Sequence, residues 1–227
     1  MQAPDLTLIV AATRNMGIGA HGTMPWTGLR KEMQYFSRVT TRLPPQAPAG
    51  AVNAVIMGRK TWDTIPNKFR PLKDRLNIVI SRSAPPPPAA TQTQSSPPSS
   101  ASPSSSRIPI DEPLRVPSLE HALSYARARH ADGAIARVFV MGGAQIYAAA
   151  LAAECKSARR ILLTRIERDF DCDTFFPLDP ASGERADAWV RRTPQDLREW
   201  TGETLDDLHN EEAGTPYEFE MWERQDS

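Results

Sequence analysis

Residues 24–39, MPWTGLRKEMQYFSRV, put a carboxylate where a helix would bury its apolar side. Turned at about 100° per residue, Leu29, Met33, Phe36 and Val39 fall in one arc of roughly 120°. Arg30, Lys31, Gln34, Ser37 and Arg38 fall opposite. Glu32 lies inside the apolar arc, between Phe36 and Val39. Two plainer readings exist. A Glu near a helix start can serve the macrodipole or a capping box. With Thr27 or Gly28 as N-cap, however, Glu32 lies slightly too far along for either. It could also sit half-exposed at the stripe's edge. The functional reading is a buried carboxylate facing a cleft, where burial makes its proton usable.

Three further stretches have the chemistry to hold anions. In VIMGRKTW, Gly58 ends an apolar run, and Arg59, Lys60 and Thr61 open a short helical pattern. Free amide donors, a positive dipole end and two cations converge there. In VFVMGGAQIY, Gly142 and Gly143 remove the Cβ atoms that would keep a phosphate from the backbone. In LNIVISRS, Ser81 and Arg82 offer a hydroxyl and a guanidinium at the carboxyl end of a run, suited to a phosphate monoester. Each alone is equally an ordinary turn or polar loop start. Together they suit a dinucleotide with an extra phosphate, the charge pattern of NADPH. A nucleotide-hydrolase P-loop is excluded, because Asn53 stands where its upstream glycine belongs, and no GxGxxG fingerprint is present.

Other chemistries find little support. His21, His121, His130 and His209 are scattered, and metal-ligand spacings are absent. Cys172 sits in DFDCD, where neighbouring carboxylates raise its thiol pKa and blunt it. If the chain is an enzyme, a cofactor must bring the hard chemistry.

The elements that would position these residues alternate between strand and helix. LTLIVAAT, AVNAVIMG, RLNIVIS, RVFVMGG and RRILLTRIE read as buried strands. GRKTWDTI, SLEHALSYARAR with Ser118 as N-cap, and AQIYAAALAA read as helices. WVRRT and YEFEMWER alternate as antiparallel strands do. An α/β fold with a mainly parallel sheet and an antiparallel C-terminal edge hairpin follows. Residues 83–107, almost all Pro, Ser, Ala, Thr and Gln, cannot offset their ordering entropy with apolar burial. They read as a disordered surface insertion in a single domain spanning 1–227, since neither flank makes a domain alone.

The 227 residues carry 27 Lys and Arg against 27 Asp and Glu, so no basic field of the nucleic-acid-binding kind exists. No apolar run reaches membrane-spanning length, and no positive region precedes the first apolar stretch as in a secretory signal. Cys155 and Cys172 read as two unpaired thiols in a reducing compartment, although one disulfide is open to them. A soluble cytoplasmic protein is expected.

IVAATRNMGIG, MPWTGLRKEMQYFSRVTT, VIMGRKTWDTIPNKFRPLKDRLNIVISR, VFVMGGAQIY, LTRIERDFDCDTFFP and YEFEMWER, in this order and spacing, resemble the dihydrofolate reductase family. The resemblance covers nearly the whole chain except the Ser/Pro segment. It implies an eight-stranded mixed sheet flanked by helices. It also implies NADPH-dependent reduction of 7,8-dihydrofolate in one-carbon metabolism, by a monomer that also takes folate-like inhibitors. Glu32 resembles the family's only ionisable group in the pterin pocket, holding N3 and the 2-amino group, with Thr164 assisting through a water. Ile9, Val10, Met33, Phe36, Ile65 and Leu72 resemble the apolar pocket wall, with the Met141 backbone nearby. Arg75 resembles the clamp on the substrate's α-carboxylate.

On the cofactor side, Ala11 and Ile18 match backbone contacts to the nicotinamide carboxamide. The loop from Gly17 through Gly19 to Met24 matches the mobile loop that closes over it. Gly58, Arg59, Lys60 and Thr61 match the pyrophosphate and 2′-phosphate site. Ser81 and Arg82 match a second group on the adenosine phosphate. Gly142, Gly143, Ala144, Gln145, Ile146 and Tyr147 match the second phosphate turn. The resemblance also implies cis peptides at Gly142-Gly143 and Arg70-Pro71.

There are departures. Pro117 holds a place where the family often has a basic residue, with Arg115 two positions earlier, and Met24 replaces a more usual Leu. The monofunctional form, with no thymidylate synthase domain after this one, is expected. The rivals are an aminopyrimidine reductase of the same fold and a non-catalytic nucleotide-binding protein. Trp26, Glu32 and Arg75 argue against the first.

Overall fold

A strand buried on both faces must be apolar along its whole length, and LTLIVAAT is. The computed structural model describes residues 5–85, 108–152, 157–182, 188–204 and 208–225. Most of the Ser/Pro segment, from residue 86 to 107, and Cys155 lie outside them. β1 (Leu6–Thr13) is at the centre of the main sheet. β2 (Gly17–Gly19) and α1 (Arg30–Thr41) follow, then β3 (Val52–Gly58), α2 (Arg59–Thr64) and β4 (Arg75–Ile80). β5 (Leu114–Val116), α3 (Leu119–Ala131), β6 (Ile135–Val140), α4 (Ala144–Leu151) and β7 (Ala158–Ile166) continue the alternation. β8 (Thr174–Phe175), β9 (Trp189–Arg191), α5 (Pro194–Thr201), β10 (His209–Glu212) and β11 (Thr215–Arg224) complete it.

The sheet order is β10-β11-β7-β1-β6-β3-β4-β5, with β9 also paired to β11. The strands from β7 to β5 are parallel, while β11 is antiparallel to β7 and to both β9 and β10. This is the expected mixed sheet, with a difference in its antiparallel part. β11 lies one strand in from the edge, and its hairpin partner is β10, HNEE, which has too little apolar character to read as a strand. The WVR segment of β9 adds a short second pairing on β11. β2 and β8 form a separate two-stranded ribbon.

Alternation along β1 divides the core. Leu6, Leu8, Val10 and Ala12 pack in the layer that includes Ala122 and Ala126 of α3 and Tyr147, Ala150 and Leu151 of α4. Ile9 packs in the opposite layer, with Tyr35 and Val39 of α1, Trp62 of α2 and Leu197 of α5. Among the described residues no helix is long and apolar enough to cross a membrane.

Helix ends follow local chemistry where they have it. The Ser118 side chain accepts from His121 N, as its N-cap position predicts. α5 opens with a capping box between Thr193 and Asp196 and Pro194 in its first turn, and stops at Gly202 with φ 70°. That TPQD…G pattern is a readable signal for a helix the strand–helix alternation passes over. α1 is different. Its N-cap is Leu29, later than the expected Thr27 or Gly28, and Leu29 has no oxygen to cap with.

The far end of α1 is tied to the sheet by Asn53 of β3. Its fully buried amide donates to the Thr40 and Arg42 carbonyls at 3.1 and 3.0 Å, and its Oδ1 accepts from Arg137 N at 3.1 Å. Asn53→Ala strands three backbone groups at once, one buried and two partly buried. A loss of roughly 3 kcal/mol of stability is expected, read as a lower urea midpoint at unchanged slope. Asn53→Asp is expected to be no better, because a carboxylate cannot donate to either carbonyl.

Candidate functional site

Glu32 sits in the first turn of α1, with 7% of its surface exposed. The buried arc of the helix is Glu32, Tyr35, Val39 and Thr40, with Phe36 half-buried beside them. Compared with the sequence reading, the arc has rotated by roughly 40°. Tyr35 replaces Met33, which is 49% exposed at the edge. The reason is an aromatic stack: the Tyr35 ring lies 4.0 Å from that of Phe219 on β11, and this fixes which side of the helix meets the sheet.

On that side, Ile9, Ala11, Phe36, Ile65, Leu72 and Met141 share one apolar layer with Trp26. Val10 does not join them. It follows Ile9 by one residue in a strand, so its side chain packs in the other layer and only its backbone faces this one. Trp26 meets Phe170 edge-on at 5.8 Å, and its buried indole N–H has no hydrogen-bond partner among the described residues.

Thr164 of β7 donates directly to Glu32 Oε1 at 3.2 Å. Burial pushes the Glu32 carboxyl up to about 7. The Thr164 hydroxyl favours the ionised form and the nearby Glu212 carboxylate disfavours it. The desolvation prevails although the carboxyl stands near a helix N-terminus, where the macrodipole favours negative charge.

Arg75 opens β4 and is 4% exposed. Its guanidinium donates to Lys73 O at 2.8 Å, to Ser37 Oγ at 3.4 Å and to Thr40 Oγ1. It lies 5.9 Å from the Phe36 ring centre. Burial lowers its pKa to about 10, against a small opposing effect of Asp74. Among the described residues it forms no ion pair. The loop before it is pinned by Asn77, which accepts from Leu72 N and donates to Leu72 O, both at 2.9 Å.

The parallel strands bring the anion-type stretches to one edge. Gly58 N donates to Gly142 O at 2.8 Å, so the turns after β3 and β6 touch. The Gly142-Gly143 and Arg70-Pro71 peptides are both cis. Side chains at these glycines would be crowded. A Cβ on Gly58 would meet Ile146 at 3.3 Å, and one on Gly143 would meet Thr61 Oγ1 at 3.3 Å. Gly142 has φ 114°, and a Cβ there would meet the Tyr147 ring at 3.2 Å. Gly143 is the N-cap of α4, followed by Ala144 and Gln145, whose turn presents amides, and by Ile146, whose N–H donates to Gly143 O at 2.9 Å. Tyr147 is turned into the core instead, and its hydroxyl donates to Ile9 O at 2.7 Å.

Arg59 is exposed and paired with Asp63 at 3.1 Å. Lys60 and Arg82 are exposed and form no ion pair among the described residues. Ser81 follows β4 directly, is buried, and shares a 3.1 Å hydrogen bond with Ser83. Ile18 and Gly19 lie on β2, which pairs with β8 and is also held by Asp173, just before β8, whose N–H donates to Gly19 O at 3.0 Å. Met24, beyond it, is half-exposed. Cys172 is a free thiol pushed up mainly by burial, more than by the neighbouring carboxylates.

Sequence reasoning passes over two groups here. Glu212 of β10 accepts from the first amides of α1, and Glu203, buried after α5, accepts from Arg38 and Arg42. Both are far from α1 in sequence, so spacing carries no signal for them. The same holds for Glu167, His209 and Glu218, whose ligand-type atoms come within 4.8 Å of one another. Glu218 is already engaged there by the Arg191 guanidinium.

Comparison with known proteins follows the same geometry. A family model described as dihydrofolate reductase matches residues 5–104 and 103–224. The chain is similar to the dihydrofolate reductase of Pneumocystis carinii, 38% identical over 98% of each chain. It is 36% identical to that of Cryptococcus neoformans var. neoformans, over 96% of this chain and 94% of the relative. Among solved structures, the Schistosoma mansoni enzyme of that name superposes with a TM-score of 0.68 at 29% identity, covering 99% of this chain and 100% of that one.

The Glu32 environment makes stability depend on pH. Between the ordinary carboxyl value of 4.5 and about 7, the folded state holds a proton that the unfolded state has released. Stability is therefore full below about 4.5, falls as pH rises through that window, and is level above it. Glu32→Gln mimics the neutral acid. It is expected to match the wild type at pH 4.5 and to exceed it by roughly 2–3 kcal/mol at pH 8, read by urea unfolding at both.

Proposed function

This chain belongs to the dihydrofolate reductase family, and we propose that it reduces 7,8-dihydrofolate to 5,6,7,8-tetrahydrofolate with NADPH and one proton. The observation that carries the reading is Glu32: one carboxylate, buried in an apolar layer, held by a single threonine hydroxyl and raised to about 7. A flat heteroaromatic with adjacent N–H donors is the ligand such a group suits. Glu32 would accept from pterin N3 and the 2-amino group, between walls of Ile9, Phe36, Ile65 and Leu72. The unpartnered Trp26 indole N–H adds a donor for a polar ligand atom or solvent. Arg75, buried and without an ion pair among the described residues, suits the α-carboxylate of the substrate's glutamate.

The residues at the strand ends fit a phosphorylated dinucleotide. A Cβ at Gly58, Gly142 or Gly143 would crowd a protein neighbour at 3.2–3.3 Å, and with glycine at these positions the backbone of both turns stays uncovered for a pyrophosphate. Lys60, Arg59 and Arg82 supply cations, with Ser81 and Thr61 as hydroxyl partners. When bound, the dihydronicotinamide supplies the hydride that adds to pterin C6. The protein's own part is to hold the pterin ring flat in a dry apolar layer and to control the proton that N5 gains. At neutral pH a substantial fraction of Glu32 is protonated, so the proton is held beside the ring without a charged group in the layer. The loop at 17–24 would close the nicotinamide side. The reading takes residues 1–227 as one cytoplasmic, monomeric domain in which 83–107 is an insertion.

The test is turnover. NADPH absorbance must fall when dihydrofolate is added to the purified protein, and no loss under saturating substrates overturns the reading. Glu32→Gln is expected to fold, to bind NADPH and to lose about a hundred-fold or more in turnover. Arg82→Ala should raise the KM for NADPH roughly ten- to hundred-fold while leaving that for NADH nearly unchanged, the effect of one charged hydrogen bond to a 2′-phosphate. Equal effects on both cofactors would remove Arg82 from the phosphate site.

A further inference from the structure

α1 carries Glu32 but has no cap of its own, because its N-cap residue is Leu29. The missing acceptor comes from the other end of the chain. The Glu212 carboxylate accepts from Lys31 N at 3.0 and 2.9 Å through its two oxygens, and from Glu32 N at 3.4 Å through Oε2. The Tyr217 hydroxyl donates to that Oε2 at 2.7 Å. Among the described residues no cation pairs with Glu212. Burial works against its ionisation, yet the Lys31 amide, the Tyr217 hydroxyl and the next amides of the turn hold its pKa below the usual range.

The position of Glu212 is not accidental to a floppy edge. It is the last residue of β10, opposite Thr215 across a two-residue turn of Ala213 and Gly214. Both turn residues have positive φ, 49° and 69°, the geometry that matches strand twist and fixes register. The turn also lies against the start of α1: a Cβ on Gly28 would meet Ala213 Cβ at 3.1 Å.

We propose that Glu212 is a positioning residue for Glu32: reaching from β10 into the first turn of α1, it caps the helix and sets a fixed negative charge beside the candidate catalytic carboxyl. Two effects then act in one direction. An open helix N-terminus favours ionised carboxylates, and Glu212 already neutralises that end. Its charge also opposes a second charge on Glu32. The other groups around Glu32 are neutral: Thr164 on β7, Tyr35 on α1, Tyr147 on α4 and Tyr217 on β11. Burial pushes all three phenols up, so none ionises in the working range, and no described cation acts on Glu32. Among the described residues Glu212 is thus the one charge that acts on Glu32. Its role in catalysis rests on the reading of Glu32 as the pterin-pocket group, while its effect on Glu32 itself does not.

The experiment is a carbon-13 NMR titration of the Glu32 side-chain carboxyl in the full chain, the signal being the one lost in Glu32→Gln. In Glu212→Gln, which keeps an acceptor and removes the charge, the midpoint should fall by about half a pH unit or more. Glu212→Asp restores the charge and should recover at least part of that shift. A midpoint that stays in place, or rises, in Glu212→Gln overturns the proposal and leaves Glu212 as a strut. If Glu212→Gln does not fold, Tyr217→Phe decides. Losing that hydroxyl bares the Glu212 charge, so the Glu32 midpoint must rise, and an unmoved midpoint overturns the proposal. The pH profile of the hydride-transfer step, recorded on the same variants, separates the two readings. A carboxyl midpoint that moves without the kinetic midpoint supports Glu212 and refutes Glu32 as the group controlling the proton.

Discussion

The constraint from which the rest of the site follows is the desolvation of one carboxyl group. A carboxylate in an apolar layer is tolerated only if it is neutral, paired or strongly hydrogen-bonded. Among the described residues Glu32 has one hydroxyl donor and no cation, so a substantial fraction of it keeps its proton near neutral pH. That state requires the helix to stay put, since a small outward shift would rehydrate the group. α1, twelve residues long, is too short to be stable alone in water. It is therefore fastened from outside: Glu212 at the first turn, Asn53 at the last carbonyls, and Glu203 gripping Arg38 at 2.6 Å and Arg42 at 2.8 Å. Glu203 is buried while both arginines are partly exposed, so the clamp keeps its hydrogen bonds without burying three charges.

The sheet supplies the second half of the arrangement. With β3, β4 and β6 parallel, the ends of all three strands reach the same edge, where helix N-termini and backbone amides gather. Gly58, Ser81 and Gly142 come from separate parts of the chain, yet the turns at Gly58 and Gly142 are joined by a backbone hydrogen bond. β6 also lies between β1 and β3, which sets the glycine turn beside the strand that carries Ile9 and Ala11. The acid-bearing layer and the anion-type edge are thus two faces of one strand order.

How much of this is readable in the sequence depends on whether the information is local. Strand and helix alternation is local, and β1, β3, β4, β6 and β7 with α1 to α4 follow it closely, while the three-residue β2 and β5 break it and pass unread. Ser118 as a cap is local and stands where it is expected. The in-or-out phase of a single side chain is not always so. Met33 looks apolar on a wheel, but the Tyr35–Phe219 stack turns the helix past it. Ile9 and Val10 are alike in type, and only the pleat assigns them to opposite layers. Polar strands escape as well: HNEE has nothing to mark it except its hairpin with β11. Arg75 stands at a strand's first residue, as the run RLNIVIS reads, but its burial is not local: Asn77 folds the preceding turn back on itself, and α1 covers the guanidinium with Ser37 and Thr40. Glu203 and Glu212 have no sequence signature at all, since their meaning lies in contacts more than 160 residues away.

That separation has a bearing on how the chain is born. Lys31 and Glu212 are 181 positions apart, and Arg38 and Glu203 are 165 apart. At a ribosomal pace of about 5–20 residues per second, α1 emerges roughly ten to thirty-five seconds before either of its clamps is synthesised. In that interval the helix has neither its N-terminal acceptor nor its buried ion pair, and β7, which carries Thr164, arrives only late. The nascent chain then offers an amphipathic segment with an exposed apolar stripe to whatever holds unfinished chains. Vectorial synthesis delivers the acid first and its fastenings last, so the candidate site cannot be completed until the C-terminal hairpin has closed.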